Sequence, residues 1–459
     1  MALVAFAPPQ LLLRSVVLTR LPHRRGARAV GAPFMSQVSA GTPSKARVTS
    51  GSPPLPRRPP PPPPPPRYLA EALAATASTD PVMAAHAAAS GARVAFFTSI
   101  SLVGLAVLAA SGDTVGAAKA GRVFLPRGSA DEGSWIVPWL VKSIAALVAV
   151  EQANIRNGVY PRPPLTSHGP VSLVRSTLAY LAEVPVVEAR RVAGEFLDVP
   201  VGSTTGVEAA VPATPYPDYY LRNFHFQTDG YLSAESARVY DSQVEVLFLG
   251  TADMMRRQAL VPLAAWRRGV GAARLRYRRG RLSILNVPVG SGGVLPDLAR
   301  AYPGADITNV ELGPYYLAEA EARHRRSGDA GDPARTVSFV QANTETLPFS
   351  DGSFDVVISV FLLHELPPRA RRAVMAEWAR VLAPGGLLVV ADSMQRSNSA
   401  NGAIPFDLSI FPAAFHEPFY ASYVTTDFDA LASRMGLRPF DTRLALFSKV
   451  MSWVKEGDA

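Results

Sequence analysis

Residues 284–295 read Ile-Leu-Asn-Val-Pro-Val-Gly-Ser-Gly-Gly-Val-Leu, an apolar run that ends in a glycine-rich turn. The following stretch, Leu295–Arg300, is typical of a helix, so the sequence predicts a strand, a tight turn and a helix. Small residues in such a turn let the backbone approach a bound nucleotide closely. Because many tight turns need only a residue that tolerates a positive φ, the stretches that follow must decide between a nucleotide site and an ordinary turn.

A second strand is predicted at Asp306–Glu311, and it ends in an acid. A carboxylate at the end of that strand can accept hydrogen bonds from both hydroxyls of a ribose. Two further strands are predicted, each with a marker before it. Leu-Pro-Phe at 347–349 precedes a strand at 356–360, and Pro-Gly-Gly at 384–386 precedes a strand at 387–392.

This ordered set resembles the class I S-adenosylmethionine-dependent methyltransferases, in particular the type 11 subgroup, which includes quinone-ring and sterol methyltransferases. The resemblance covers residues 280–455. It implies an α/β fold, with a Rossmann-like seven-stranded mixed sheet and helices on both faces. Two apolar stretches, Leu437–Leu444 and Phe447–Trp453, fit the terminal antiparallel pair of that sheet. The resemblance also implies S-adenosylmethionine as the cofactor and methyl transfer to a small organic acceptor.

The resemblance assigns cofactor contacts residue by residue. Glu311 is expected to bind the ribose hydroxyls. Asn343 stands where the family usually has an aspartate that faces the adenine amino group, and its carbonyl oxygen can still accept a hydrogen bond, without the charge. The full set of expected cofactor residues is Asn286, Gly290, Ser291, Gly292, Glu311, Leu312, Asn343, Thr344, Val360 and Phe361.

Two residues depart from the family pattern. Asn286 replaces the acid that ends the first strand, so a carboxylate that would favour the ammonium group of the cofactor is missing. Pro288 replaces the first small residue of the loop and has no N–H to donate. Both changes predict weaker cofactor binding or a degenerate binder, whereas the intact Gly290, Gly292 and Glu311 argue for retained activity.

Methyl transfer from a sulfonium needs alignment and exclusion of water, and only sometimes removal of a proton. By resemblance, His225 and Tyr231 belong to a segment that often folds across the cofactor mouth, and His364 follows the fourth strand. Each is a candidate catalytic residue, because histidine titrates near neutrality and tyrosine forms hydrogen bonds. The alternative is that each side chain packs in the interior while its polar group is hydrogen-bonded to a neighbour. The aromatic segment Phe411–Tyr420 is expected to cap an apolar or aromatic acceptor or to serve as a hydrophobic latch.

The N-terminal residues differ in composition from the rest. Residues 1–67 contain ten Lys or Arg and no acid, and eight prolines occupy 59–66. This composition predicts a transit peptide, for the chloroplast or alternatively the mitochondrion, that ends in a stiff polyproline spacer. Since the whole chain carries +9 and residues 1–67 carry +10, the remainder carries −1. A body so close to neutral offers no basic footprint for nucleic acid.

Four regions are predicted. After residues 1–67, an Ala-rich helical extension and linker span 68–217, a lid with N-terminal helices spans 218–280, and the S-adenosylmethionine-binding domain spans 281–456. Within the extension, Val94–Gly112 carries no charge over nineteen residues. We expect a buried helix there, and possible membrane association through Val94–Gly112 is the open alternative.

A metal site is not expected, because the chain has no cysteine and its seven histidines lack ligand spacing. Histidines outside the candidate site, such as His86 and His324, are expected at the surface or in linkers.

Two rival functions remain open. A dinucleotide-dependent oxidoreductase would also use Gly290-x-Gly292 followed nineteen residues later by Glu311, but position 295 is leucine where a third glycine belongs. A non-catalytic scaffold with this fold is the second rival, and Asn286 and Pro288 favour it.

Overall fold

The computed structural model describes residues 81–110, 136–164, 178, 182, 216–222, 230–269, 281–327, 336–400 and 416–457. The predicted transit peptide and His225 lie outside these residues, so their assignments stay predictions. The same holds for the predicted boundaries of the four regions.

Five helices precede the sheet in the described part of the chain. They are α1 (Pro81–Ala110), α2 (Ile136–Arg156), α3 (Ala234–Leu247), α4 (Ala252–Arg257) and α5 (Leu260–Arg268).

Strands and helices then alternate, as the sequence predicts. The strands are β1 (Ser283–Asn286), β2 (Asp306–Glu311), β3 (Thr336–Gln341), β4 (Phe354–Val360), β5 (Leu382–Ser393), β6 (Leu437–Ala445) and β7 (Ser448–Lys455). The helices between them are α6 (Leu295–Ala301), α7 (Pro314–Arg326), α8 (Pro368–Val381), α9 (Arg396–Ala400), α10 (Tyr420–Tyr423) and α11 (Phe428–Ser433), with a 3₁₀ turn at Leu363–Glu365.

The seven strands form one mixed sheet in the order β3-β2-β1-β4-β5-β7-β6. Strands β1 to β5 run parallel, and β7 pairs antiparallel with both β5 and β6. The predicted seven-stranded mixed sheet and its terminal antiparallel pair are therefore confirmed. The strand order reverses direction between β1 and β4, and ligands in such sheets bind beyond the carboxyl ends of the strands at this switch point.

Alternating residues of the central strands build a core on each face of the sheet. Leu285 belongs to the core that includes Trp378 of α8, whereas its neighbour Ile284 belongs to the core that includes Leu260 and Trp266 of α5. A strand buried on both faces must be apolar throughout, which explains the continuous apolar runs in the sequence.

The Pro-Gly-Gly marker has a steric explanation. A Cβ on Gly386 would lie 2.7 Å from the carbonyl oxygen of Ala383 and 2.8 Å from that of Asp355. The indole Nε1 of Trp266 also donates to the carbonyl oxygen of Gly385 over 3.1 Å. Glycine is therefore needed where β5 passes β4, and α5 is fastened to the same point.

The N-terminal helices pack on the rest of the described chain. In α1, Phe97 is fully buried and Arg93 pairs with Glu245 at 2.8 Å and with Asp253 at 2.9 Å. None of the helices that the structure describes is both long and apolar enough to span a bilayer.

Two histidines expected at the surface are buried instead. His86 contacts the Gln152 side chain at 2.8 Å, and His324 packs near Phe339. Their neighbours come from distant parts of the chain, which local composition does not reveal.

Candidate active site

The turn after β1 brings its backbone to the end of β2. On either side of Pro288, the N–H of Val287 donates to Ile358 over 2.9 Å, and that of Val289 donates to Val310 over 2.8 Å. The loop therefore keeps its pairing despite the missing N–H of Pro288. Gly290 has a φ of +56°, and a Cβ placed on it would meet nothing within 4 Å. A positive φ favours glycine, and the open space beside it leaves room for a ligand against the backbone.

The Glu311 carboxylate is held by three backbone N–H groups. Those of Gly290, Leu312 and Gly313 donate to it over 3.0, 2.9 and 3.1 Å. Burial raises the pKa of Glu311 to about 7, although these three hydrogen bonds act in the opposite direction. Because a carboxylate offers about four acceptor positions, Glu311 can still accept a hydrogen bond from a ribose hydroxyl.

A cavity opens beside this turn, and the space in and in front of it, open solvent included, is about 1010 Å³. Glu311, Gly290 and the loop after β3 contribute to its lining. The lining also includes five tyrosines, namely Tyr219, Tyr220, Tyr231, Tyr240 and Tyr316. We call these five residues the tyrosine wall.

The tyrosine wall is packed ring against ring. Tyr231 lies 5.3 Å from the Tyr220 ring and 5.6 Å from the Tyr316 ring, and Tyr240 lies 5.4 Å from Tyr316. The hydroxyl of Tyr219 donates to Glu345 over 2.8 Å and so ties the segment 216–222 to the loop after β3. These contacts give the cavity a rigid, largely apolar face.

Comparison with known proteins identifies the family. A family model described as a methyltransferase domain matches residues 285–390. A demethylmenaquinone methyltransferase of Beutenbergia cavernae is 31% identical over 203 residues, which cover 44% of this chain and 67% of that protein. The chain belongs to the class I S-adenosylmethionine-dependent methyltransferases. The predicted family, the predicted enzyme class and S-adenosylmethionine as the cofactor are thus confirmed.

Other similarities are partial. A phthiotriol/phenolphthiotriol dimycocerosates methyltransferase of Mycobacterium leprae is 38% identical over 24% of this chain and 37% of its own length. The chain spans less than half the length of several curated relatives that it matches. An O-methyltransferase family protein of Burkholderia thailandensis is 17% identical, with a TM-score of 0.43, over 78% of this chain and 98% of that structure.

Most of the residues expected to bind the cofactor line the cavity of the methyltransferase. They are Gly290, Ser291, Glu311, Leu312, Asn343, Thr344, Val360 and Phe361, and the catalytic candidate Tyr231 lines it as well. The open space at Gly290 and the remaining acceptor positions of Glu311 fit a nucleoside with a ribose diol. The assignments to individual groups of the cofactor stay predictions.

Asn286 is not among the lining residues. It is fully buried, and its Nδ2 donates to Asn309 over 2.9 Å, while Asn309 donates to the carbonyl oxygen of Ser338. The side chain that replaces the family's acid therefore links β1 to β2 inside the sheet and does not face the cavity.

Gly292 is also absent from the lining, and its role is in packing. A Cβ on Gly292 would lie 3.2 Å from the Cα of Ala320, and its φ is +88°. Close approach of the turn to α7 therefore favours glycine at position 292, and the expected cofactor contact stays a prediction.

His364 belongs to a buried ion cluster and is not a lining residue of the methyltransferase cavity. Its Nδ1 lies 2.5 Å from Asp392, and its Nε2 lies 3.7 Å from Glu417 and 3.9 Å from Glu365. Burial opposes the charge on His364, but Asp392, Glu417 and Glu365 outweigh it and raise its pKa to about 10. A histidine that is already protonated at neutral pH is poorly suited to accept a proton, and the catalytic role expected of His364 stays a prediction.

The aromatic segment 411–420 is described from residue 416 onward. Phe419 packs against the cluster that includes Tyr231 and Tyr316 of the tyrosine wall. The ring of Tyr420 stands 6.3 Å from the imidazole of His364, and Glu417 is 1% exposed. The described end of the segment therefore supports the tyrosine wall, His364 and the core, and its expected role as a cap or a latch stays a prediction.

Three polar lining residues did not emerge from the sequence: Asp241, Arg256 and Glu365. Glu365 adjoins His364, and the chain direction alone does not tell which of the two side chains faces the ligand. Asp241 and Arg256 lie on helices α3 and α4, outside the part of the chain that carries the family motifs. The one available signal was the pair Arg256 and Arg257 in a short helix that also carries Asp253.

Proposed function

We propose that the chain transfers a methyl group from S-adenosylmethionine to a small apolar or aromatic acceptor. The observation that carries this proposal is that one cavity is lined by both the Gly290–Glu311 contact and the tyrosine wall. The Gly290–Glu311 contact suits a nucleoside, and the tyrosines suit a flat or apolar molecule.

The names of the relatives support the same class of acceptor. The protein from Beutenbergia cavernae is named for demethylmenaquinone and the one from Mycobacterium leprae for phthiotriol lipids. We infer a quinone-like or lipid-like acceptor for this chain, with the aromatic ring or apolar chain packed on the tyrosine wall.

When bound, S-adenosylmethionine supplies a methyl group activated by the positive sulfur to which it is attached. The residues of the chain contribute binding, alignment and exclusion of water. Phe361, which has a φ of +56° and stacks on Phe248 at 5.7 Å, lies in the cavity wall at the end of β4 and restricts its width.

Glu365 is suited to hold a proton released by the acceptor. It lines the cavity together with Tyr231, and its carboxylate lies 3.9 Å from Nε2 of His364. We infer that Glu365, and not the expected His364, faces the acceptor, and that Tyr231 orients the Glu365 carboxylate.

Isothermal titration calorimetry of the full chain with S-adenosylmethionine, S-adenosylhomocysteine and NADH tests the proposal. We expect binding of the first two ligands and its loss in Glu311→Ala. The matched control is Glu321→Ala, an exposed glutamate of α7 that pairs only with Arg325 in the described structure. Absence of binding of both methyl-donor ligands would instead support the scaffold function, and binding of NADH alone would support the oxidoreductase.

We also propose that residues 1–67 direct the chain to the chloroplast. Fluorescence microscopy of the tagged full chain in plant cells, compared with a chain that begins at Tyr68, tests this. Mitochondrial signal would support the alternative, and equal distribution of the two proteins would refute targeting by these residues.

A further inference from the structure

Arg256 is the positively charged residue among the described residues that line the cavity. It is 4% exposed, and two carboxylates fix its guanidinium. Its Nη2 lies 3.0 Å from Asp241, and its Nη1 lies 3.0 Å from Asp253. These pairs involve two of the five N–H groups of an arginine, so donors remain for a ligand.

Gly293 brings this guanidinium against the glycine-rich turn. A Cβ on Gly293 would lie 2.9 Å from Cζ of Arg256 and 3.0 Å from its Nε. The backbone of Gly293 is not in the left-handed region, so its conformation does not require glycine. Glycine at this position instead leaves room for the guanidinium of Arg256.

The turn places Arg256 at a defined distance from Glu311. Gly290 donates to Glu311 at one end of the turn, and Gly293 contacts Arg256 at the other. The two glycines are three Cα–Cα steps apart, which corresponds to at most about 10 Å. The two charged groups therefore flank one short turn.

The charges of the cavity match those of the cofactor. S-adenosylmethionine carries a ribose diol, a positive sulfur and, beyond the sulfur, an amino-acid end with one carboxylate. If Glu311 accepts the ribose hydroxyls, the methionine chain extends along the turn towards Arg256. The carboxylate is the one anionic group of the cofactor, and Arg256 is its counterpart in the wall.

We propose that Arg256 binds the α-carboxylate of S-adenosylmethionine, with Asp241, Asp253 and Gly293 as positioning residues. This inference rests on the proposed function, since it assumes the same ligand in the same cavity. A guanidinium binds a carboxylate through two parallel hydrogen bonds, which gives both affinity and orientation. The amino-acid end is thus held from α4, because Asn286 at the end of β1 faces away from the cavity.

A comparison of two ligands isolates this contact. S-adenosylhomocysteine has the amino-acid end, and 5′-methylthioadenosine lacks it but keeps the adenine and ribose. Calorimetric titration of the full chain with both ligands gives four affinities for wild type and Arg256→Lys. We expect Arg256→Lys, which keeps the charge next to Asp241 and Asp253, to bind S-adenosylhomocysteine about tenfold to a hundredfold more weakly. Its affinity for 5′-methylthioadenosine should stay unchanged.

A second variant avoids changing the arginine itself. Gly293→Ala should displace the guanidinium and reduce the affinity for S-adenosylhomocysteine selectively, by about tenfold. The matched control is Gly304→Ala, because a Cβ at that position would meet nothing within 4 Å. Thermal unfolding of each variant establishes that the fold is retained.

The outcomes separate this inference from the proposed function. Equal affinity of wild type and Arg256→Lys for S-adenosylhomocysteine, or an equal loss for both ligands, would overturn the role of Arg256 alone. Loss of both ligands in Glu311→Ala would then still support the nucleoside site. Failure of the wild type to bind either ligand would overturn both proposals.

Discussion

The single residue Glu311 has two roles, since its carboxylate fixes the turn after β1 and offers hydrogen-bond acceptors to a ribose. Its position was predicted from the sequence, because a strand end is defined by a local pattern. The orientations of Asn286, Gly292 and His364 were not, because a side chain's direction depends on neighbours from other elements. Asn309, Ala320 and Asp392 supply those neighbours, and each lies more than twenty residues away in the chain.

The pKa of Glu311 predicts a pH dependence of cofactor binding. Since burial raises this pKa to about 7, the carboxyl group is protonated below pH 7 and ionised above it. The ionised form accepts more hydrogen bonds from the ribose, so affinity for S-adenosylhomocysteine should rise as the pH increases from 6 to 8. Calorimetric titrations across this range measure the effect.

Glu311→Gln is the control for this pH dependence. Its weaker binding should not vary between pH 6 and 8, since glutamine does not titrate. An unchanged slope in Glu311→Gln would assign the pH dependence to another group. His364 titrates near pH 10 and therefore keeps its charge throughout this window.

Glu365→Gln tests the proton acceptor. We expect methyl transfer from S-adenosylmethionine to phenolic or quinol acceptors to fall by about a hundredfold, because the amide cannot take the proton. Binding of S-adenosylhomocysteine should be retained. Radiolabel transfer and calorimetry measure the two effects, with Glu321→Gln as the control. Full turnover in Glu365→Gln would refute the role.

Helix α3 begins at an N-cap residue that can be identified from the local sequence. Serine is a preferred N-cap residue, and the side chain of Ser233 accepts from the N–H of Ser236 over 3.3 Å. The helix places Tyr240 and Asp241 in the cavity wall. The local sequence pattern did not predict this position. The cap is thus readable from sequence, whereas the function of the helix depends on the partner that it meets.

Ser233→Ala should lower the free energy of unfolding by about 1 kcal/mol, since an orphan N–H at the helix start loses its acceptor. It should also weaken S-adenosylhomocysteine binding by loosening the wall. Asp427→Ala removes the cap of α11, whose N–H donor is Ala430 at 2.9 Å, away from the cavity. This control should lose similar stability and retain binding. Urea denaturation and calorimetry measure both quantities, and equal binding in the two variants would contradict the effect on the wall.

Across the whole molecule, Arg93 couples α1 to helices α3 and α4 through Glu245 and Asp253. Asp253 in turn pairs with Arg256 in the cavity wall. The sequence predicted buried N-terminal helices from their apolar stretches, and the family resemblance implied the seven-stranded mixed sheet. It did not predict this ion network, because charged partners from α1 and α4 are about 160 residues apart.

Arg93→Ala should lower the free energy of unfolding by about 3 kcal/mol, because Glu245 and Asp253 would stay buried without their cation. The control Arg238→Ala breaks an exposed pair with Glu235 and should change stability by less than about 1 kcal/mol. Urea denaturation of the full chain measures both. Equal stabilities of the two variants would show that the Arg93 pairs contribute no more than a surface pair.

Helix α5 covers one face of the sheet with Leu260, Leu263 and Trp266, yet it precedes the family-matched residues 285–390. A polypeptide trimmed to the recognisable motifs would lose these side chains and leave the strands beneath them open to water. Removal of each large apolar side chain costs about 2 kcal/mol of the free energy gained by burying hydrophobic surface. Such a fragment should aggregate through the exposed apolar strands. The shortest stably folded fragment of this methyltransferase is therefore considerably longer than the family-matched residues 285–390.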